Sequence, residues 1–332
     1  MRRKLLQKID FVVAWVDGSD PKWQKKYLKY RPTEKSIMNS EIRYREYGTF
    51  KYWFRAVEKY APWVNKIYVI TDNQIPSWLN VKNDKIKVVD HQDYIDDKYL
   101  PTFNSSTILL HIDKIRNLSE KFVLFNDDMF LNDMVEESDF FKNDLPIDTG
   151  TFQPTIPTTR FTHLLVNDLL IINRWFNYRN ILKKNFGKYF HYKYGIKRIL
   201  SAMTTLPFSR IIGFYDGHLA TPYLKSDFRY VTNKAIKAVE KTSVNKFRTN
   251  DDINEWLVRY YEYCTGRFIP RRKGFGKFYE LKEYKEFVKD IKNSRSKVVC
   301  INDSSDKESE FGMKELNKIL SEKFPEKSCF EK

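Results

Sequence analysis

Four short apolar runs in the first half of the chain each stop abruptly on acidic or amide side chains. The runs are DFVVAWV, KIYVI, KIKVV and KFVLF, and the polar residues that follow include Asp17, Asp72, Asp90 and Asn126–Asp128. Each run is nearly continuous and rich in β-branched or aromatic residues, which is typical of a strand buried on both faces. Adjacent carboxylates cannot lie unpaired inside such a core. We therefore expect Asp127 and Asp128 to lie at a rim, beside groups that stabilise them.

Segments with helical periodicity separate these runs. Phe50, Phe54 and Val57 recur at helical spacing between the first two runs, and SSTILLHIDKIRNLSE has the same spacing between the last two. Alternation of strands and helices predicts an α/β fold with a wound, mostly parallel sheet. Ligands bind such sheets outside the carboxyl ends of the strands. The polar ends of the four runs therefore predict a single crevice.

The pattern changes near residue 150, which predicts three parts. Residues 1–150 form the α/β part, and residues 151–295 form a mainly helical region. Residues 296–332 form a strand, KVVCIND, and a helix that return to the core. Within the middle part, residues 174–200 are basic and aromatic without a clean apolar stripe.

The charge balance favours an anionic partner. The 332-residue chain carries a formal net charge of +16, which is compatible with nucleic acid, an acidic membrane surface or a phosphorylated substrate. A lysine-rich composition that serves solubility is the alternative. The basic residues are spread widely and no nucleic-acid motif is present, so no nucleic-acid partner is predicted.

The cysteines and the first residues predict a cytoplasmic protein. Cys264, Cys300 and Cys329 are scattered and odd in number, which argues against a disulfide framework and for a reducing compartment. The run FVVAWV lies between Asp10 and Asp17 and is too short for a signal peptide or a membrane span.

Paired carboxylates at a strand end are a common site for Mg²⁺ or Mn²⁺ beside a nucleotide diphosphate. Asp127 and Asp128 fit that pattern, although a Ca²⁺ site or a solvated loop would look alike. The chain has no GxxxxGK[ST] or GxGxxG sequence, which disfavours P-loop enzymes and ordinary dinucleotide oxidoreductases. It also lacks G-x-S-x-G and H-E-x-x-H.

Two further residues are candidates for catalysis. His218, in GFYDGHLATPYLK, lies between Gly217 and Pro222 in a predicted loop, a context that suits a general base. Arg248, in NKFRTNDDINEWL, lies beside carboxylates. A structural histidine and an ion pair at a helix start are the alternatives.

Together these segments resemble the Stealth family. The likeness runs in order through DFVVAWVDGSDPKW, the block from RYREYGTFKYWFRAVEKYAPWVNKIYVITDNQIPSWLN to LSEKFVLFNDDMFL, GHLATPYLK, FRTNDD and VCINDSSD with FPEKSCFE. The family includes bacterial capsular polysaccharide phosphotransferases and the animal lysosomal-enzyme N-acetylglucosamine-1-phosphotransferase. The likeness covers residues 10 to 331 and is weakest from 150 to 210.

The resemblance implies a sugar-1-phosphate transferase. Such an enzyme transfers a hexose or N-acetylhexosamine 1-phosphate from a UDP-sugar to a glycan hydroxyl in capsular or cell-surface polysaccharide, forming a phosphodiester and releasing UMP. The implied catalytic residues are Asp128, His218 and Arg248. Asp127, Asp128 and Asp303 are implied as ligands for Mg²⁺ or Mn²⁺.

The resemblance also implies a substrate-binding set in the first part of the chain, which would then hold the nucleotide-sugar while the helical region receives the acceptor. The members of that set are Trp15, Asp17, Gly18, Arg45, Arg55 and Asn104.

Two other functions are compatible with the residues alone. One is a metal-dependent glycosyltransferase that transfers only the sugar and releases UDP. The other is a non-catalytic basic module that binds a membrane or a polyanion. For the transferase we expect an acceptor that is a growing polymer or is linked to lipid. Residues 174–200 then either rest on the anionic inner face of the membrane or form an ordinary solvated helical face.

Overall fold

The computed structural model describes residues 8–31, 44–159, 161–303 and 307–332. The strands in these residues are β1 (Ile9–Ala14), β2 (Ile67–Thr71), β3 (Ile86–Asp90), β4 (Lys121–Asn126), β5 (Met129–Leu131), β6 (Phe141–Lys142), β7 (Leu145–Asp148), β8 (Thr221–Leu224), β9 (Ile269–Pro270), β10 (Gly276–Glu280) and β11 (Val298–Asn302). The α-helices are α1 (Pro21–Tyr30), α2 (Phe50–Tyr60), α3 (Ser105–Leu110), α4 (Glu137–Phe140), α5 (Thr162–Trp175), α6 (Tyr178–Tyr189), α7 (Ile196–Met203), α8 (Lys225–Lys234), α9 (Ile236–Ser243), α10 (Trp256–Thr265), α11 (Tyr284–Asn293) and α12 (Lys307–Lys323).

A five-stranded sheet in the order β3-β2-β1-β4-β8 forms the centre of the fold. The first four strands are parallel and β8 is antiparallel to β4. Nearly every residue of β1, β2 and β4 is buried, as continuous apolar runs require. The predicted α/β fold with a mostly parallel sheet is confirmed.

Apolar side chains cover both faces of this sheet. One core contains Phe11 and Phe125 from the sheet with Trp53 of α2 and Leu320 of α12. The other contains Phe122 and Tyr223 with residues of the middle region such as Tyr260. Strand β8 comes from that middle region and completes the sheet of the first part. The division of the chain near residue 150 remains a prediction.

Two smaller sheets adjoin the central one. Strands β10, β11 and β5 form one of them, with β11 parallel to β10 and antiparallel to β5. Strands β6, β7 and β9 form the other. Only Asp127 and Asp128 separate β4 from β5, so these two residues form the turn at which the chain passes from the central sheet to a smaller sheet.

The predicted helix after Ser105 is shorter than its periodicity indicates. Helix α3 ends at Leu110, and a 3₁₀ turn covers Ile112–Lys114. His111 caps the end of α3 and its Nε2 lies 2.9 Å from the hydroxyl of Ser243. This tertiary contact accompanies the break, whereas the buried side chains of Ile112 and Ile115 maintain the apolar stripe.

Candidate functional site

The carboxyl ends of the parallel strands lie at one edge of the central sheet. Ala14, the last residue of β1, lies beside Ile70 of β2 and Asn126 of β4, and Thr71 lies beside Asp90 of β3. The polar residues that follow these strands therefore share one edge, as the sequence predicts. This edge is where ligands bind in wound α/β sheets.

Residues after β1 form a tight, well-anchored loop at this edge. The indole of Trp15 stacks on Phe50 with ring centroids 5.6 Å apart, and its buried N–H has no hydrogen-bond partner in the described part of the chain. The Asp17 carboxylate accepts hydrogen bonds from the main chain and the hydroxyl of Ser19. A Cβ at Gly18 would lie 2.3 Å from the carbonyl oxygen of Tyr44, so only glycine fits there.

Asp128 lies beside a histidine and a cysteine that the chain supplies from two distant segments. The carboxylate of Asp128, the imidazole of His218 and the thiol of Cys300 place their nearest polar atoms within 4.8 Å of one another. Cys300 belongs to β11 and pairs with Met129, the first residue of β5. The main-chain N–H of Ile301 also donates to the carbonyl of Asp128 at 2.9 Å. The smaller sheet therefore fixes the position of Asp128 in the cluster.

Burial raises the pKa values of both carboxylates. The pKa of Asp127 rises to about 7, mainly through loss of solvent and secondly through repulsion by Asp128 and Glu46. The pKa of Asp128 is also raised by burial, while His218 and the thiol of Cys300 oppose the rise. Burial together with Asp128 raises the pKa of Cys300 well above its usual value. Carboxylates with perturbed pKa values in a crevice are typical of functional sites.

His218 is held in an uncommon conformation by a buried ionic network. Its φ of 45° lies in the left-handed region, which few residues other than glycine adopt. Its main-chain N–H donates to Asp216 at 3.0 Å. Asp216 is in turn bound by Arg259 at 2.7 Å, and Arg259 also contacts Asp148. A strained residue secured by its surroundings is a feature of active sites.

Aromatic rings surround the imidazole of His218. The ring of Phe278 meets it edge-on at 5.6 Å, and Trp256 lies at 6.2 Å. Glu255 lies close enough to be influenced by both His218 and Arg248, although burial dominates and raises the pKa of Glu255. The loop before α10 therefore brings an acid to the histidine.

Arg248 lies at the start of α3. Its Nε and one terminal nitrogen both donate to the hydroxyl of Ser105, the first residue of that helix. The same guanidinium interacts with Glu255. The structure therefore brings Asp128 and His218 together directly, and Arg248 lies close enough to Glu255 to affect its pKa.

The remaining predicted residues have structural contacts of their own. Arg55 contacts both oxygens of Glu331 and the carbonyl of Phe324, joining α2 to the end of the chain. Asn104 is fully buried, caps α3 and donates to Asp252 at 2.8 Å. These contacts occupy the polar atoms that substrate binding by Arg55 or Asn104 would require.

Arg45 and Asp303 are brought together through a third residue. The hydroxyl of Tyr47 donates to Asp303, and Arg45 interacts with the same tyrosine. Asp303 follows β11, the strand of Cys300. Among the described residues, however, the group that could hold a metal ion is Asp128 with His218 and Cys300, without Asp303 or Asp127.

Sequence reasoning missed Cys300 and Glu255. Cys300 lies in VVCIND, an apolar run that ends on polar residues like the four runs of the first half. That pattern could have placed Cys300 near the site. Its pairing with Met129 depends on an antiparallel register that no local pattern encodes. Glu255 follows Arg248 in the NDDINEW segment, where the cluster of acids indicates helix caps as readily as catalysis.

The cluster of Asp128, His218 and Cys300 fits a divalent cation, and its ligand atoms favour some ions over others. The Oδ1 atom of Asp128 is buried and accepts no hydrogen bond from the described residues, as expected of an atom that binds a cation. One carboxylate, one imidazole and one thiol suit Mn²⁺ or a softer ion better than Mg²⁺, which prefers oxygen ligands.

Comparison with known proteins identifies the class of protein that this crevice belongs to. Residues 7–35 match Stealth protein conserved region 1, and residues 43–148 match conserved region 2. The chain is 46% identical to a capsular polysaccharide phosphotransferase, WcwK, of Streptococcus pneumoniae, over 99% of both chains. It is 44% identical to the exopolysaccharide phosphotransferase cps2G of Lactiplantibacillus plantarum, over 98% of this chain and 96% of that one. It is 40% identical to the receptor polysaccharide phosphotransferase WefC of Streptococcus oralis, over 98% of this chain and all of the relative.

The protein is therefore a phosphotransferase, and it belongs to the Stealth family. Solved structures resemble it only broadly. The galactosyltransferase LgtC, in complex with donor and acceptor sugar analogues, has a TM-score of 0.40 at 10% identity and covers 94% of this chain and 95% of its own. The bifunctional glycosyltransferase WbbM has a TM-score of 0.43 at 8% identity, covering 98% of this chain and 53% of its own.

Proposed function

We propose that the protein transfers a sugar 1-phosphate from a UDP-sugar to a hydroxyl of a capsular or cell-surface polysaccharide. The carrying observation is the convergence of Asp128, His218 and Cys300 at the crevice edge. Relatives that are 40% to 46% identical over nearly the whole chain are polysaccharide phosphotransferases, which supports transfer of a phosphate-containing group in polysaccharide synthesis. The acceptor hydroxyl attacks the β-phosphorus, the bond from that phosphorus to the oxygen bridging the two phosphates breaks, and UMP leaves.

The donor occupies the edge formed by the ends of β1 and β4. Among the described residues the buried indole N–H of Trp15 has no hydrogen-bond partner, so we assign it to a ligand oxygen. Glu46 interacts with both Asp17 and Asp127, which indicates that the loop after β1 and the turn after β4 face the same space. Because this space contains several carboxylates, a diphosphate in it requires positive charge from Arg248 and a cation.

His218 acts as the general base. A sugar hydroxyl is a poor nucleophile at neutral pH, and an imidazole within hydrogen-bond reach accepts its proton as the bond to phosphorus forms. The carboxylate of Asp128 lies within 4.8 Å of the imidazole of His218. Asp128 therefore stabilises the imidazolium that results, and Asp216 holds the loop in place through the main chain of His218.

Arg248 donates to the phosphoryl oxygens as negative charge develops on them. A divalent cation at Asp128 neutralises charge on the donor diphosphate when it is bound. In this scheme the cation is held through Asp128, and the imidazole of His218 is not one of its ligands, because its lone pair takes the acceptor proton. Full activity in excess chelator, with metal content confirmed as absent, would contradict the metal part of this proposal.

Nucleotide analysis tests the reaction. We expect incubation with a panel of UDP-sugars and acceptor glycans to release UMP in amounts equal to the product formed. Chromatography of the nucleotides measures this ratio, and a reaction without acceptor controls for donor hydrolysis. Release of UDP with an equal amount of glycoside would instead establish the glycosyltransferase alternative.

We also propose that helix α7 rests on the anionic inner face of the membrane. Ile196, Leu200 and Met203 occupy one face of this helix, and each is about half exposed or more. Tyr192, on the preceding turn, is 78% exposed. In the described part of the chain, no helix is long and apolar enough to cross a bilayer. An apolar face on a chain of charge +16 matches an anionic lipid surface in both polarity and charge.

Vesicle co-sedimentation tests this surface. We expect the protein to bind phosphatidylcholine vesicles only when they contain phosphatidylglycerol. Each lysine near such a surface contributes about 1 kcal/mol to binding, and salt screens this attraction, so added salt should weaken binding. The Ile196→Glu/Leu200→Glu variant should bind at least about tenfold more weakly, because it removes apolar burial and adds repulsion.

The control is Val166→Glu/Leu170→Glu, the same change on exposed apolar positions of α5. This control should bind vesicles as the unchanged protein does. Equal loss in both variants would contradict the assignment to α7. So would self-association of the protein that the α7 variant abolishes, because the face would then be an interface between two copies.

A further inference from the structure

A strongly basic pocket lies immediately beside His218. Residues 217 and 219, on either side of the histidine, form part of its wall. Other parts of the wall come from the end of β7, from Arg198 of α7, from Arg259 of α10 and from residues 271–276 at the start of β10. The cavity offers about 30 Å³ to the centres of water-sized groups and is partly open to solvent. The reaction scheme above assigns no role to it.

The charges that line this pocket do not balance. Its wall contains five cationic side chains and one carboxylate, that of Asp148. Asp148 accepts hydrogen bonds from Arg259 and from the hydroxyl of Tyr263, so it is already satisfied. No carboxylate partner exists in the described ranges for the other exposed or half-exposed cations of the wall, which are Arg198, Arg272 and Lys273. Uncompensated cations around a cavity attract an anion.

The basic groups are also held in place. The guanidinium of Arg198 stacks 3.5 Å above the ring of Tyr215 and donates to the hydroxyl of that residue at 2.5 Å. Arg271 is buried and donates to the carbonyls of Asp139 and Ile147, which secures the start of the loop that carries Arg272 and Lys273. Burial lowers the pKa of Arg271 to about 10, so it stays charged at neutral pH. Ordered guanidinium groups of this kind bind phosphate oxygens well.

We infer that this pocket binds a phosphate ester carried by the acceptor. This inference rests on the proposed function, in which His218 takes the proton of the acceptor hydroxyl. Because both neighbours of His218 line the pocket, the anion in it belongs to the molecule that presents the hydroxyl. In the proposed function the donor diphosphate instead occupies the ends of β1 and β4. Two acceptors carry such a group: a growing polymer that contains phosphodiesters, and a glycan attached to lipid through a diphosphate.

Equilibrium binding without donor tests the inference independently of catalysis. The probes are a disaccharide phosphodiester, the same disaccharide without phosphate, and inorganic pyrophosphate. We expect the unchanged protein to bind the phosphodiester at least about tenfold more tightly than the neutral disaccharide. The Arg272→Ala/Lys273→Ala variant should lose that preference. These side chains are exposed, so the fold should survive their removal.

Lys289→Ala/Lys292→Ala is the matched control, because it removes the same charge from exposed positions of α11 outside the pocket wall. The control should retain the preference for phosphate. Equal loss of the preference for phosphate in both variants would overturn the inference, because the overall positive charge of the protein would then explain binding. If the unchanged protein binds pyrophosphate more tightly than the phosphodiester, the result supports the lipid-linked acceptor. The reverse order of affinities supports the polymer. If neither pyrophosphate nor the phosphodiester binds, the inference that the pocket binds phosphate is wrong.

The two proposals fail in distinguishable ways. If the protein prefers the phosphorylated disaccharide but releases no nucleotide from any UDP-sugar, the result supports the anion pocket and contradicts the proposed function. A protein that forms a phosphodiester product, yet binds and uses neutral and phosphorylated acceptors equally well, would contradict the anion pocket alone.

Discussion

An Asp128→Asn variant is expected to lose about a thousandfold in turnover without losing stability. Asp128 lies within 4.8 Å of His218, and its buried Oδ1 accepts no hydrogen bond from the part of the chain that the structure describes. Loss of such a preorganised charge typically costs two to three orders of magnitude, roughly, in rate. Steady-state measurement of UMP release at saturating donor gives the result directly.

The thermal stability of the same variant should be unchanged or slightly higher. Burial raises the pKa of Asp128, so the ionised form opposes folding at pH values above the usual carboxyl pKa. An amide of the same shape removes that cost. Asp113→Asn is the matched control, because burial also raises the pKa of Asp113 but the residue lies next to Arg229 and outside the crevice. Normal turnover in Asp128→Asn, or equal loss in the control, would contradict the role of Asp128.

His218→Ala and Arg248→Lys are expected to separate proton transfer from phosphate binding. Removal of a general base typically reduces turnover by about a hundredfold to ten-thousandfold, and we expect that loss in His218→Ala with nearly normal binding of the UDP-sugar. Arg248→Lys should reduce turnover and also weaken donor binding, because lysine cannot reproduce the paired donors of a guanidinium. Calorimetric titration with the UDP-sugar and turnover assays together measure the two effects.

Surface residues supply the controls for this pair. His163 is exposed on α5, and Arg267 pairs with Asp227 away from the crevice. His163→Ala and Arg267→Lys should therefore retain turnover and donor binding. A normal rate in His218→Ala would place the base elsewhere, and His91, buried at the end of β3, would become the next candidate. Melting temperatures near that of the unchanged protein are required for either conclusion.

The central sheet follows from local sequence to an unusual degree. Runs such as KFVLF are short, continuous and bounded by polar residues, so their burial on both faces and their parallel pairing are predictable. Helix α2 follows from its periodicity in the same way. The break after α3 was not predictable, because His111 meets Ser243 only in the folded chain.

The site was predictable in its parts but not in its assembly. Asp128, His218 and Arg248 could be named from strand ends, loop context and family resemblance. The partners that hold them could not, because Cys300 reaches Asp128 through strand pairing between distant segments, and Asp216 is fixed by Arg259 of α10. The contacts of Arg55 with Glu331 show the converse: a basic residue in a recognisable block can serve the packing of the chain end.

The fate of the donor's β-phosphorus tests the central claim most directly. A UDP-sugar labelled with ³²P at the β-phosphate is incubated with acceptor and enzyme, with Asp128→Asn as the inactive reference. If the acceptor hydroxyl attacks phosphorus, the label enters the glycan product as a phosphodiester and the released UMP is unlabelled. Label recovered in UDP, with an unlabelled glycan product, would show attack at the sugar carbon and contradict the account.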